Sequence, residues 1–212
     1  MYKNNRKNNK ELEYLGVSLI SPKIRIGIIG GGRASLIKTK SFLKSGAKVY
    51  VLSKDFLDEF YRLKYDNLYL FNGEYRSDFI LDKHIMVIAL DGAIKEEIIK
   101  DCKQYSKLYI DCSNFLNGNM VSSMNVRTKN VTLSLNTNFG NPKAAVFLST
   151  KIKRLLEKYD DFIGYTSKLR AQFKGNKKTD LMAFINSDDF YYFYKKGYSD
   201  LILKMFLEGN YD

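Results

Sequence analysis

Apolar positions along the chain fall alternately into short unbroken runs and into helical spacings, with glycine-bearing turns between them. Residues 23–29 read K-I-R-I-G-I-I, a β-branched run that ends in three glycines. That is the pattern of a parallel strand covered on both faces. Residues 34–45 then place Leu36, Ile37, Lys40 and Leu43 at helical spacing, and Gly46 stands where a helix-ending glycine belongs. The same periodicity predicts strands at 48–52, 68–71, 85–89 and 107–112, with helical stretches at 56–64 and 93–105 between them. Later strands are expected at 119–122 and 131–135. Alternation of this kind predicts an α/β fold, a Rossmann-like doubly wound parallel sheet.

The pattern changes at Pro142. Ala144, Ala145, Phe147, Leu148, Ile152, Leu155 and Leu156 keep a helical period to about residue 158, and residues 161–174 and 179–186 are further amphipathic candidates. Residues 188–212 carry the aromatic run Phe190 to Tyr194, a composition expected of a core or subunit interface more than of a ligand platform. The organisation expected is a flexible tail at 1–13, a nucleotide-binding domain at 14–118, a strand segment at 119–141 and a helical C-terminal domain at 142–212.

Composition narrows the classes. With 212 residues, 45% hydrophobic and 27% charged, the chain can bury a core and is not a disordered protein. No apolar run reaches the ~18 residues of a membrane span. The Asn- and Lys-rich start lacks the apolar stretch of a secretory signal, so a cytoplasmic location is expected. Cys102 and Cys112 form no C-x-x-C pattern and have only His84 to help them, so no metal site is expected and both cysteines read as small buried hydrophobes. The net charge of +12 implies an anionic partner or simply a lysine-rich composition. The basic residues are spread along the chain and no DNA- or RNA-reading motif is present, so nucleic acid is not the expected partner.

The chemistry centres on Gly30-Gly31-Gly32-Arg33-Ala34-Ser35. A strand entering a helix through such a turn lets the backbone approach a pyrophosphate, while the helix N-terminus offers N–H donors. Ser35 replaces the third glycine of the usual spacing and is still small. The second strand ends in Leu52-Ser53-Lys54-Asp55, without the acid that usually meets the ribose. Ser53 could bond a ribose hydroxyl or a 2′-phosphate, and Lys54 either pairs with that phosphate or is an exposed loop cation, which leaves NAD and NADP both open. Leu90 and Asp91 end the fourth strand at the sheet edge where ligands bind, although Asp91 serves equally as the N-cap of the next helix. The fifth strand ends in Asp111-Cys112-Ser113-Asn114.

The ordered combination of Gly30 to Gly32, Lys38, Phe42-Leu43, Gly46-Ala47, Ala89-Leu90-Asp91, a strand ending near Asn114, the segment from Leu135 to Pro142 and the basic stretch from Lys151 to Glu157 resembles the siroheme synthase dehydrogenase/chelatase domain. The similarity runs over about residues 14–160 and more loosely to about 200. It implies NAD-dependent oxidation of precorrin-2 to sirohydrochlorin, in some members followed by iron insertion, with an anionic octacarboxylate tetrapyrrole as substrate. It also implies a homodimer formed through the middle segment 119–141 and the C-terminal domain. Cofactor contacts are implied at Gly30, Gly31, Gly32, Arg33, Ala34, Ser53, Lys54, Leu90 and Asp91, and substrate contacts at Asn136, Thr137, Asn138 and Lys143. The family's important aspartate falls on Asn114, and Asp111 stands where the family has Asn, so these two are the candidate catalytic positions. An amide cannot serve as a carboxylate base. The alternative is therefore a nucleotide-binding regulatory or scaffolding homologue that has lost turnover.

Overall fold

The computed structural model of the chain describes residues 13–174 and 178–208. The tail expected over 1–13 lies, apart from Glu13, outside them, and so do residues 175–177 and 209–212. The chain divides into two compact units, one of them Leu15–Ser122 and the other made of the described residues from Ser123 onward together with Glu13 and Tyr14.

The first unit is built on five parallel strands, β1 (Arg25–Ile29), β2 (Lys48–Ser53), β3 (Leu68–Asn72), β4 (Ile85–Ile88) and β5 (Leu108–Asp111), in the order β3-β2-β1-β4-β5. Strand alternation supplies both faces. Ile26 and Ile28 of β1, Val49 and Val51 of β2 and Ile85 and Val87 of β4 join Leu36, Leu43 and Phe60 in one core cluster. Ile29, Met86 and Ile88 turn the other way and meet Ile80, Ile98, Ile99 and Cys102. Helices α1 (Arg33–Lys44) and α2 (Asp58–Tyr61) cover the first face, and α3 (Asp78–Leu81) and α4 (Ala93–Gln104) the second. The sheet is thus doubly wound, as its near-continuous apolar strands require.

Three elements depart from the periodicity. The helix expected over 56–64 shrinks to the single turn of α2. The strand expected at 119–122 does not form. Asn119 instead accepts from Tyr109 N at 2.7 Å and donates to Lys107 O at 2.9 Å, so a side chain satisfies the outer edge of β5 where a strand would have done. The strand in this region is β6 (Met124–Arg127), which pairs antiparallel with β7 (Thr132–Leu135).

In the second unit α5 (Pro142–Gln172) is one continuous helix and does not stop near 158. The break in its apolar period at Asp160 has a local cause: this carboxylate is buried against the β6–β7 turn, where it accepts from the Thr128 hydroxyl and, at 3.0 Å, from Asn130 N. Phe162 and Leu169 of α5 pack with Leu181 and Ile185 of α6 (Lys178–Ile185), Phe190 of α7 (Asp188–Lys196) and Leu203 of α8 (Ser199–Glu208). Phe190 is fully buried there and Tyr191 and Tyr194 pack against the same core, so the aromatic run is chiefly core. No helix among the described residues is long and apolar enough to cross a membrane.

Candidate dinucleotide site at the carboxyl edge of the sheet

The three glycines between β1 and α1 each meet a different demand. Gly30 has φ +119°, and a Cβ there would lie 2.4 Å from Ala89 O. At Gly31 a Cβ would lie 1.9 Å from Asp55 O and 2.8 Å from Ser53 Oγ, because the turn passes directly beneath the loop after β2. A Cβ at Gly32 would meet nothing within 4 Å. No packing requirement keeps that position bare, and its open side faces a groove of about 440 Å³.

The groove is walled by Gly30, Gly31 and Gly32, by Leu52 to Asp55 at the end of β2, by Gly73, Glu74 and Tyr75 after β3, and by Ala89, Leu90 and Ile94 at β4 and α4. The N-terminus of α1 opens into it at Gly32, which supplies no side-chain cap, and the first turn carries no acid. Its uncapped N–H groups and the positive end of the helix dipole suit an anion. A dinucleotide fits this cradle on the bare Gly32 and the uncapped helix end together.

The expected cofactor residues divide. Gly30, Gly31, Gly32, Ser53, Lys54 and Leu90 line the groove, whereas Arg33, Ala34 and Asp91 flank it. The Arg33 guanidinium lies 3.7 Å from Glu59 on the exposed surface. Asp91 is exposed and is not the cap of α4: that place belongs to Gly92, with φ +99° and no side-chain bond. Ser53 donates its hydroxyl to Asp55 O at 2.7 Å, and Lys54 pairs with Glu74 at 2.7 Å. The Tyr75 hydroxyl donates to Asp101 at 2.7 Å, and burial followed by that bond pushes its ionisation far up, so it remains a neutral donor.

At the end of β5 the two candidate catalytic positions are treated very differently. Asp111 is 1% exposed, and its carboxylate takes Lys95 Nζ at 2.8 Å, the Ser113 hydroxyl at 2.8 Å and the backbone N–H groups of Ser113 and Asn114 at 3.0 and 3.2 Å. Burial alone would raise its ionisation; the Lys95 and Ser113 bonds outweigh it and bring the carboxyl to about 2. Asn114 is exposed, and its side-chain oxygen accepts from Leu116 N at 3.2 Å. Lys95 was not marked by the sequence, where it is one more lysine in the first turns of a helix. Glu74 and Tyr75 were equally unmarked, since nothing local shows that the end of β3 faces the glycine turn.

The expected substrate residues lie in the other unit. Asn136 donates to Ser123 Oγ at 3.0 Å, the Thr137 hydroxyl accepts from Asn141 N at 2.6 Å, and Asn138 follows in the same turn. Lys143 is exposed in the first turn of α5. Among the described residues, no three His, Cys, Asp or Glu side chains gather as a metal site would need.

Comparison with known proteins agrees with this geometry. Residues 19–123 match a family described as putative NAD(P)-binding. No curated protein matches the chain. Among solved structures, SirC, a precorrin-2 dehydrogenase, superposes with a TM-score of 0.66 at 18% identity, over 82% of this chain and 90% of its own. A D-isomer-specific 2-hydroxyacid dehydrogenase from Xanthobacter autotrophicus Py2, in complex with NADPH and MES, aligns with a TM-score of 0.34 at 16% identity, over 47% of this chain and 31% of its own. Residues 19–123 thus resemble the putative NAD(P)-binding family, and that match, with the fold shared with SirC, supports the resemblance to the siroheme synthase N-terminal domain family.

Proposed function

We propose that the chain is a precorrin-2 dehydrogenase that oxidises precorrin-2 to sirohydrochlorin with NAD. The observation that carries the reading is the groove itself, an uncapped helix N-terminus over a bare glycine at the edge of a doubly wound sheet. The SirC-like fold, which covers 82% of this chain, supports the same choice. When bound, the nicotinamide supplies the hydride acceptor. Precorrin-2 gives up one hydride and one proton.

The chain's own residues bind and orient. The N–H groups of α1 hold the pyrophosphate, and the walls at Leu52 to Asp55 and Gly73 to Tyr75 receive the adenosine half. Asp111 holds Lys95 and the Ser113–Asn114 backbone in place and acts as a positioning residue, while the exposed Asn114 amide offers substrate hydrogen bonds. Asn136, Thr137, Asn138 and Lys143 are proposed tetrapyrrole contacts, in a cytoplasmic homodimer whose basic surface suits an octacarboxylate. Iron insertion is the weaker part of this reading, because a buried, lysine-paired carboxylate and an amide are poor metal captors.

The test is anaerobic incubation with precorrin-2 and NAD, following the sirohydrochlorin spectrum and NADH formation together. Appearance of both supports the enzyme. NAD binding without product would refute it and favour the second reading, a nucleotide-binding regulatory or scaffolding homologue. That reading draws on one observation, that neither Asp111 nor Asn114 presents an accessible carboxylate.

A further inference from the structure

The ends of β2 and β3 are joined beyond their last ladder pair. Gly73 N donates to Ser53 O at 3.0 Å, and the Asn72 side chain donates to Lys54 O at 2.7 Å. This holds Lys54 and Glu74 side by side on the groove wall, with Nζ to Oε1 at 2.7 Å. The bond to Lys54 keeps the Glu74 carboxyl below the ordinary carboxylate range and the bond to Glu74 keeps the Lys54 ammonium above its own, so the pair stays charged at neutral pH.

In a fold of this type the wall beyond the second strand receives the adenosine ribose, where an acid bonds the 2′-hydroxyl or a cation takes a 2′-phosphate. The chain brings one of each to that place and pairs them, although the acid comes from the neighbouring strand end. Among the residues that line the groove Lys54 is the sole cation, and Glu74 and Asp55 are the acids. An incoming 2′-phosphate, carrying close to two negative charges, would meet a lysine already neutralised by a carboxylate.

We propose that the Lys54–Glu74 pair is the discriminator between the two nicotinamide dinucleotides: Glu74 accepts from the ribose hydroxyls and cancels Lys54, so that the unphosphorylated cofactor is taken and the 2′-phosphorylated one refused. The proposal rests on the dinucleotide reading of the groove. It makes Glu74, absent from the usual place after β2, the functional equivalent of the ribose acid.

The experiment measures dissociation constants for NADH and NADPH from the fluorescence of the bound reduced nicotinamide. It compares the unaltered protein, Glu74→Gln, and the double variant Glu74→Gln with Lys54→Met. The unaltered protein is expected to prefer NADH. Glu74→Gln should weaken NADH and tighten NADPH about tenfold, the change expected on removing one carboxylate charge from a few ångströms of a phosphate at an exposed site. The gain should shrink as salt is raised and vanish in the double variant. Both side chains are exposed, so unfolding midpoints should not move. If both dinucleotides bind and Glu74→Gln leaves their ratio unchanged, or if the unaltered protein prefers NADPH, the discriminator is wrong and the dinucleotide site stands. If neither dinucleotide binds, the dinucleotide reading fails and the proposal falls with it.

Discussion

Replacing Asp111 by Asn keeps the shape of the side chain at the end of β5 and removes its charge, which makes it a clean probe of the buried contact with Lys95. The carboxylate is 1% exposed and bonded to Lys95, Ser113 and Asn114. Burial works against ionisation; the Lys95 and Ser113 bonds reverse the balance and bring the carboxyl to about 2, against 3.8 without these surroundings. Because a tenfold change in an ionisation constant is about 1.4 kcal/mol, that difference contributes up to about 2 kcal/mol of folding free energy at neutral pH. The direction follows from proton counting. Between the two values the unfolded chain binds more protons than the native one, so stability rises with pH there, is complete above about pH 5, and is lost as pH falls toward 2.

Urea unfolding of the unaltered protein and of Asp111→Asn, at fixed pH values from 7 to 3, reads this directly. The variant should be less stable by about 2 kcal/mol at pH 7, and the gap should fall to about half by pH 3. A gap that is as large at pH 3 as at pH 7 would mean that packing, and not charge, distinguishes the two side chains. No gap at pH 7 would mean that the bonds to Lys95 and Ser113 only balance the burial. Lys95→Met is the companion. It leaves the carboxylate buried without its cation, so carbon NMR of the Asp111 carboxyl should show its titration moving upward. A carboxyl still titrating near 2 would remove Lys95 as a principal cause.

Gly31→Ala and Gly32→Ala should separate folding from binding: the first drives a Cβ into Asp55 O and should cost about 1–3 kcal/mol of stability together with NADH affinity. The second meets no protein atom within 4 Å and should leave the urea midpoint unchanged while NADH titration shows weakened binding. Asp160→Ala strips the β6–β7 turn of the acceptor for Thr128 and Asn130, and should lower the calorimetric melting point of the helical unit by roughly 5 °C. Thr39→Val should be neutral or stabilising by up to about 1 kcal/mol in urea unfolding, since the Thr39 hydroxyl is buried in α1 with no partner among the described residues.

The glycine turn was legible in the sequence because its physics is local. A strand covered on both faces must be an unbroken apolar run, and Gly30 sits at a positive φ that other residues avoid. The alternation of strands and helices in the first unit and the helical character of the C-terminal half followed from the same periodicities. What failed to read was set by side chains acting at a distance. Asn119 imitates a strand by bonding Tyr109 N and Lys107 O with its amide, so a segment with strand-like composition is a loop. Asp160 breaks the apolar period of α5 without breaking the helix, because it serves the turn between β6 and β7. No acid stands directly after β2, while Glu74 is brought to the same wall by β3, and only the pairing of Ser53 with Asn72 shows it.

The end of β5 carries the sharpest consequence for chemistry. The resemblance to the siroheme synthase domain implies that carboxylate and amide are exchanged between Asp111 and Asn114, and the two side chains have very different surroundings. The inner position can hold a charge because Lys95 reaches it from α4 and Ser113 turns two donors back onto it; a carboxylate titrating near 2 in that setting is a strut and a feeble base. The outer position is exposed and carries a group that donates and accepts without charge. In a dehydrogenase built this way, catalysis comes from holding hydride donor and acceptor in register, which is a large part of any such rate enhancement. A chelatase would use an accessible anion to take protons from the macrocycle and to steady the arriving metal, and neither Asp111 nor Asn114 offers one.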